Sequence, residues 1–205
     1  MTNIILVRHG HVEGISPEHF RGRADLVLTP EGVRQAEATA HRLRESWTPA
    51  AVYCSPLIRC RTTAEAIAKP FGLTPIPVPD LMDIDYGEWQ GLTPDEISRK
   101  WPEALATWYR APHWAAIPAG ESLQDVLTRT VAALRVVIGR HPRDTVVLVG
   151  HDSVNRVILL HALDLPLSRY RRLGQDPCAV NQIDFLDGDF TVQSVNETWH
   201  LRRVG

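Results

Sequence analysis

Three short apolar runs in this chain each end in a cluster of arginine, histidine or serine. Asn3–Val7 leads into Arg8-His9-Gly10, Ala51–Cys54 into Ser55 through Arg59, and Thr145–Val149 into Gly150-His151-Asp152. Each run reads as a strand. Helical patterns separate them. Thr29-Pro30-Glu31 is a helix start, with Thr as cap, Pro at the first helical position and an acid in the first turn. Val33, Ala36, Ala40 and Leu43 then form one apolar stripe. Ser55-Pro56 predicts a second cap-and-proline start, for a helix running to about Ala68. Ser122 opens a third helix, with Leu123, Val126, Leu127, Leu134, Val137 and Ile138 on one face. Val154–Leu163 is a further helix. Val180–Phe185 and Phe190–Val195 read as late strands joined across Asp187-Gly188. Alternation of this kind predicts an α/β fold.

The 205 residues make one domain, with 44% apolar and 22% charged residues. Twenty-two basic and 24 acidic side chains leave a formal charge of -2, which gives no electrostatic case for nucleic acid or a membrane surface. No stretch approaches a membrane-spanning helix. The N-terminal apolar run is too short for a signal peptide. Cys54, Cys60 and Cys178 are an odd set without paired spacing, so free thiols and a cytoplasmic location are expected. Pro70–Pro79 is a loop or edge segment. Residues from about 93 to 120 carry three tryptophans, Trp101, Trp108 and Trp114, and read as a lid-like insertion over the core.

In an open parallel sheet, ligands bind beyond the carboxyl ends of the strands. If the three strands are parallel neighbours, Arg8, His9, Arg59 and His151 meet there. Guanidinium forks and imidazoles suit a phosphate. The residues test against other phosphoryl-transfer signatures. Cys54 and Arg59 are separated by four residues, not the five of a cysteine phosphatase loop. Asp83-Ile84-Asp85 lacks the preceding strand of an aspartate-nucleophile phosphatase. No glycine-rich phosphate loop exists. His9-Gly10-His11 lacks a following metal-ligand pair, and no metal site is expected.

The ordered motifs resemble the histidine phosphatase superfamily, in its phosphoglycerate mutase-like branch. Leu6-Val7-Arg8-His9-Gly10, Leu28-Thr29-Pro30-Glu31-Gly32, Ser55-Pro56-Leu57 through Arg59, Tyr86-Gly87-Glu88-Trp89-Gln90-Gly91, Gly120-Glu121-Ser122 and Val149-Gly150-His151 carry the resemblance across essentially the whole chain. It implies a mostly parallel sheet with helices on both faces. It implies one histidine phosphatase domain over residues 1–205 and a mechanism without metal or other cofactor. His9 resembles the nucleophile. Arg8, Arg59 and His151 resemble the phosphate clamp, with Gly22 letting backbone approach the phosphate. Arg21, Tyr86 and Trp108 are candidate substrate contacts, and Arg23 is left between a second anion and solvent.

The leaving alkoxide needs a proton and the later water needs a base. The family usually carries Glu four residues before the position of Gly87. This chain has Asp83, one methylene shorter. Asp152, beside His151, is the alternative general acid, as in the acid phosphatase branch. Asp85 and Glu88 are lesser candidates. The implied activity is hydrolysis of small phosphorylated metabolites through a phosphohistidine. A cofactor-dependent phosphoglycerate mutase and a non-catalytic phosphate-binding member are the alternatives. Pro94 and Trp108-Tyr109-Arg110 stand near places where mutases carry a lysine and paired arginines, which favours hydrolysis. The sequence leaves a homodimer open.

Overall fold

The apolar runs become the middle of one six-stranded sheet. The computed structural model describes residues 1–15 and 18–203. Its strands are β1 (Thr2–Arg8), β2 (Ala51–Cys54), β3 (Ile76–Pro77), β4 (Thr145–Gly150), β5 (Val180–Leu186) and β6 (Asp189–Glu197). They lie in the order β3-β2-β4-β1-β5-β6. The first four are parallel neighbours, whereas β5 runs antiparallel to β1 and β6 antiparallel to β5. The sheet is thus a parallel core with an antiparallel hairpin along one edge. The hairpin turns at Asp187 and Gly188, whose φ angles of 52° and 100° suit its tight turn.

Register explains why the polar clusters meet. Val149 pairs with Val7 on one side and Cys54 on the other. The His9 N–H then donates to the Gly150 carbonyl at 3.0 Å, and the Ser55 N–H to Val149 at 3.0 Å. Three chains therefore leave the sheet at one level.

The main helices are α1 (Pro30–Ser46), α2 (Ile58–Ala68), α5 (Leu123–Arg140) and α6 (Asp152–Ala162). Successive strand residues point to opposite faces. Ile5, Val7, Val52 and Val147 pack against Ala40 and Leu43 of α1 and Ala64 and Ile67 of α2. Ile4, Leu6, Val146 and Leu148 pack against Leu134 of α5 and Val154 and Ile158 of α6. Both faces are covered, so these strands read as unbroken apolar runs rather than as alternation. Each such side chain contributes roughly 1.5–3 kcal/mol on burial.

Two helix starts follow the sequence. The Thr29 hydroxyl accepts the Gly32 N–H at 3.1 Å. Ser122 and Asp125 form a reciprocal capping box. The third start differs: α2 begins at Ile58, and its N-cap, Leu57, makes no side-chain bond. The Ile58 N–H donates instead to Asp25 at 2.8 Å, and the Ser55 hydroxyl is engaged elsewhere. The tryptophan-rich stretch forms α3 (Pro94–Lys100) and α4 (Pro102–Arg110). Ile97, Leu105 and Trp108 sink into the same core as α5 and α6. Among the described residues, no helix is long and apolar enough to cross a membrane.

Two glycines in helices should respond oppositely to alanine. A Cβ on Gly32 would lie 2.2 Å from the His11 carbonyl oxygen, where the chain after β1 presses on α1. Gly139, in the last turn of α5, would meet nothing within 4 Å. Gly32→Ala is expected to lower stability by about 1–3 kcal/mol, and Gly139→Ala to raise it by up to about 1 kcal/mol. Urea denaturation of both variants checks this, and a stabilised Gly32→Ala would contradict the close approach.

Candidate active site

His9 is the first residue beyond β1, and it is buried. Its Nδ1 lies 2.7 Å from the Gly10 carbonyl oxygen. A carbonyl only accepts, so Nδ1 carries the proton and Nε2 keeps its lone pair. A Cβ on residue 10 would come within 2.5 Å of the Gly32 oxygen, so this turn requires glycine. Burial holds the imidazole well below its ordinary range. Arg59, His151 and Arg8 push it the same way, and the Gly10 carbonyl partly opposes them.

His151 caps the end of β4 and stands edge-on to His9, with ring centroids 5.2 Å apart. The Arg59 Nε–H donates to its Nδ1 at 3.3 Å, and its Nε2 lies 2.8 Å from the Ser55 hydroxyl. The same hydroxyl accepts the Leu57 N–H at 3.4 Å, just ahead of α2. Burial, then Arg59 and Arg8, also keep this ring neutral well below its usual pKa.

Arg59 occupies the first turn of α2 yet is wholly buried. Nη1 donates to the Ala24 carbonyl at 2.6 Å, and Nη2 to the Gly22 carbonyl at 2.7 Å and to Asp83 Oδ2 at 3.1 Å. Gly22, at φ 47°, thus presents its carbonyl to the guanidinium. Arg8 closes β1, and its Nη1 donates to the Gln175 carbonyl. Among the described residues, its buried Nε has no partner.

Asp83 is bonded from both sides. Oδ1 accepts the Ser153 hydroxyl at 2.5 Å and the Ile84 N–H at 2.9 Å. Oδ2 faces Arg59 and lies 3.6 Å from His151 Nδ1. Asp152 starts α6 and pairs with Arg156 at 2.8 Å. Both carboxylates line a cavity of ≈ 220 Å³, together with Glu18, Arg21, Gly22 and Tyr86. Of the two, Asp83 alone also bonds to the buried Arg59–His151 pair. Asp85 pairs with Arg23, and Glu88 is exposed.

The other sequence candidates separate. Arg21 lines the cavity with its Nη1 on the Gly14 carbonyl, and its buried Nε has no partner among the described residues. Trp108 stands behind the wall rather than on it. It packs against Tyr86, Phe20 and Tyr170, with centroids 5.6–6.4 Å away. Arg23 is spent on Asp85 and Glu121, at 3.2 and 3.1 Å. His11 Nδ1 bonds the Thr29 hydroxyl at 3.0 Å, which ties the loop after His9 to the cap of α1. Sequence reasoning missed Ser55 and Ser153 as partners of His151 and Asp83. The one available signal was their place directly after β2 and in the first turn of α6.

Comparison with known proteins gives one family. A family model described as the histidine phosphatase superfamily (branch 1) matches residues 4–198. The chain is 32% identical over 201 residues to phosphoserine phosphatase 1 of Hydrogenobacter thermophilus, covering 98% of this chain and 95% of that protein. It is 33% identical over 207 residues to the metal-independent phosphoserine phosphatase of Arabidopsis thaliana, covering 100% and 85%. The solved structure of Bacillus stearothermophilus YhfR superposes with a TM-score of 0.93 at 29% identity, over 98% of this chain and 100% of that one.

Two neutral buried histidines have a linkage consequence. An unfolded histidine takes up a proton near pH 6.5, whereas folded His9 and His151 do so only well below 6.5. Between those limits the unfolded chain binds more protons. Stability is therefore complete above about pH 6.5 and falls as pH drops below it. Denaturant midpoints from about pH 7.5 to 5.5 should fall, while the His9 and His151 ring nitrogens show no titration near pH 6.5 by long-range ¹H–¹⁵N NMR. Protonation of either ring near 6.5 would contradict the burial argument.

Proposed function

The chain belongs to the histidine phosphatase superfamily, branch 1, and from that premise we propose that it hydrolyses small phosphomonoesters through a phosphohistidine, without a metal. The observation that carries this reading is His9: buried, neutral, with its Nδ1 proton fixed on Gly10 and its Nε2 lone pair left to attack. Residues 1–205 act as one domain, with residues 93–120 as its covering insertion.

The atoms balance in two displacements. His9 Nε2 bonds to phosphorus, the ester P–O bond breaks, and the departing oxygen takes a proton from the Asp83 carboxyl. Water then gives a proton to the Asp83 carboxylate and attacks phosphorus. The P–N bond breaks, inorganic phosphate leaves, and neutral His9 returns. Splitting the reaction this way replaces one hard step by two easier ones. The transferring group spreads charge over its equatorial oxygens, so fixed positive groups supply most of the acceleration. Arg8, Arg59 and His151 are that clamp. The orphaned Arg8 Nε is a donor available to a phosphoryl oxygen. Asp83 takes the general-acid role in preference to Asp152 by its place, since it lines the cavity with its Oδ2 3.6 Å from His151 Nδ1.

The cavity is smaller than the roughly 300–1,000 Å³ of drug-sized pockets, which suits a metabolite. The two relatives named for phosphoserine make that molecule the first substrate to test. The wall supports the choice. Arg21 Nε has no partner among the described residues and suits a carboxylate, and Glu18 and Asp152 bring carboxylates for an ammonium group.

Purified protein in excess EDTA should hydrolyse p-nitrophenyl phosphate and release inorganic phosphate from phosphoserine. His9→Ala should lose at least about 10³-fold in either activity. Activity abolished by EDTA would overturn the metal-free mechanism. A phosphoryl group retained and passed on in the presence of a bisphosphoglycerate primer, with no phosphate released, would indicate a mutase. Asp83→Asn should lower kcat/KM about 10²–10⁴-fold on an alkyl phosphate and far less on the aryl ester, whose leaving group needs little protonation. Equal rates on both would remove Asp83 from the role.

A further inference from the structure

Outside the cavity, one guanidinium grips the backbone of the segment that carries Asp83. Arg129, on α5, donates from Nη1 to the carbonyls of Asp80 at 2.8 Å and Met82 at 2.6 Å, and from Nη2 to that of Asp83 at 3.1 Å. Glu121 aims it through a two-point fork, Nε to Oε1 and Nη2 to Oε2, both 2.9 Å. Arg23 reaches the same Asp83 carbonyl from Nε at 3.4 Å and closes the set on Glu121. Glu121 also bonds Asp85 twice, accepting its N–H at 3.0 Å and donating its own N–H to its carbonyl at 2.9 Å.

We propose that Arg129, oriented by Glu121, is a positioning residue that sets how deep the Asp83 carboxyl reaches into the site. The proposal rests on the reading of Asp83 as general acid. An aspartate carboxyl is only two bonds from its Cα, one fewer than glutamate, so its reach is set by the backbone. Ser153 and the Ile84 N–H fix how the carboxyl is turned. Ser153 and Arg23 add long contacts to this backbone, at 3.4 Å to the Ile84 N–H and to the Asp83 carbonyl, whereas Arg129 holds three of its carbonyls at 2.6–3.1 Å and is its main anchor. A misplacement of about 1 Å can cost about 10²-fold in rate. A shorter acid therefore needs a firmer anchor behind it, and Arg129 supplies it without touching the substrate.

The test separates positioning from plain stabilisation. kcat/KM reports only the steps up to leaving-group departure, so an alkyl phosphate (phosphoserine) and p-nitrophenyl phosphate differ in their need for a proton. Arg129→Lys keeps the charge but loses the fork. It should lower the alkyl value about 10- to 100-fold and the aryl value less than about threefold. Added to Asp83→Asn, it should cost nothing further, because the two act through one group. Equal losses on both substrates, no loss, or losses that multiply in the double variant would overturn the proposal. Should Arg129→Lys fail to fold, Glu121→Gln carries the test. It leaves Arg129 intact and weakens its fork, and an alkyl-selective loss of about 3- to 10-fold is expected; its absence would overturn the proposal. If Asp83→Asn alone shows no alkyl selectivity, the assignment of the general acid fails and this proposal falls with it. If that selectivity is present and Arg129→Lys lacks it, the positioning role alone fails.

Discussion

A wholly buried guanidinium, that of Arg59, joins elements distant in the chain. It bonds the Gly22 and Ala24 carbonyls of the loop after β1, the Asp83 carboxylate and the ring of His151, while its own helix follows β2. A buried cation is costly unless acceptors surround it. Here the acceptors are two carbonyls, a carboxylate and a ring nitrogen. Removing one would leave an unpaired charge in the interior, so the loop, the Asp83 segment and the end of β4 are held together by a single requirement. The sheet makes the requirement possible, because Val149 sits level with Val7 and Cys54 and the three strands open at one height.

The same positive field governs the histidines. Burial alone would favour neutral rings, and the arginines reinforce it. Neutrality leaves His9 a lone pair on Nε2, and it also makes the folded state vulnerable to acid. The polarity of His9 is then fixed locally, by the Gly10 carbonyl on Nδ1. The turn after His9 is itself tightly packed, since a Cβ on Gly10 would meet the Gly32 oxygen and one on Gly32 the His11 oxygen.

The strands, the major helices, the turn at Asp187-Gly188 and the meeting of Arg8, His9, Arg59 and His151 were legible in the sequence. Apolar runs buried on both faces leave little ambiguity, and the residues that end them inherit the register. Side-chain partnerships were less legible. Ser55 before Pro56 looked like a helix cap because local propensity says so, yet His151, nearly a hundred residues later, takes its hydroxyl. The tryptophans of the insertion read either as a wall for the leaving group or as packing onto the core, and for Trp108 α4 gives the second, behind Tyr86. Arg23 was read as free for an anion or for solvent, and Asp85 and Glu121 claim it. Arg129 gave no signal, since an arginine on a helix reads as a solvated face until the carbonyls opposite it are known.

Asp83, the proposed general acid, is a part of the site that no strand delivers. Arg8, His9 and His151 end or directly follow a strand and inherit its rigidity. Asp83 comes from an irregular segment between β3 and α3, and its rigidity has to be assembled from elsewhere. Arg59 takes its carboxylate, Arg129 takes its backbone, and Gly87 passes so close to Pro118 that a Cβ would lie 2.2 Å from that carbonyl. The Glu88 N–H donates to the same Pro118 carbonyl at 3.0 Å. The tryptophan-rich insertion thus locks the acid-bearing segment from one side, and α5 locks it from the other. Glu18 and Arg21 occupy a different loop, and Tyr109 of α4 holds Glu18 at 3.1 Å. Arg23 of the same loop reaches the Asp83 carbonyl from Nε at 3.4 Å, and the Gly22 carbonyl meets the guanidinium that holds the Asp83 carboxylate, so the loop that lines the cavity also braces Asp83. The wall of the cavity and the seat of the Asp83 carboxyl are therefore parts of one hydrogen-bonded unit.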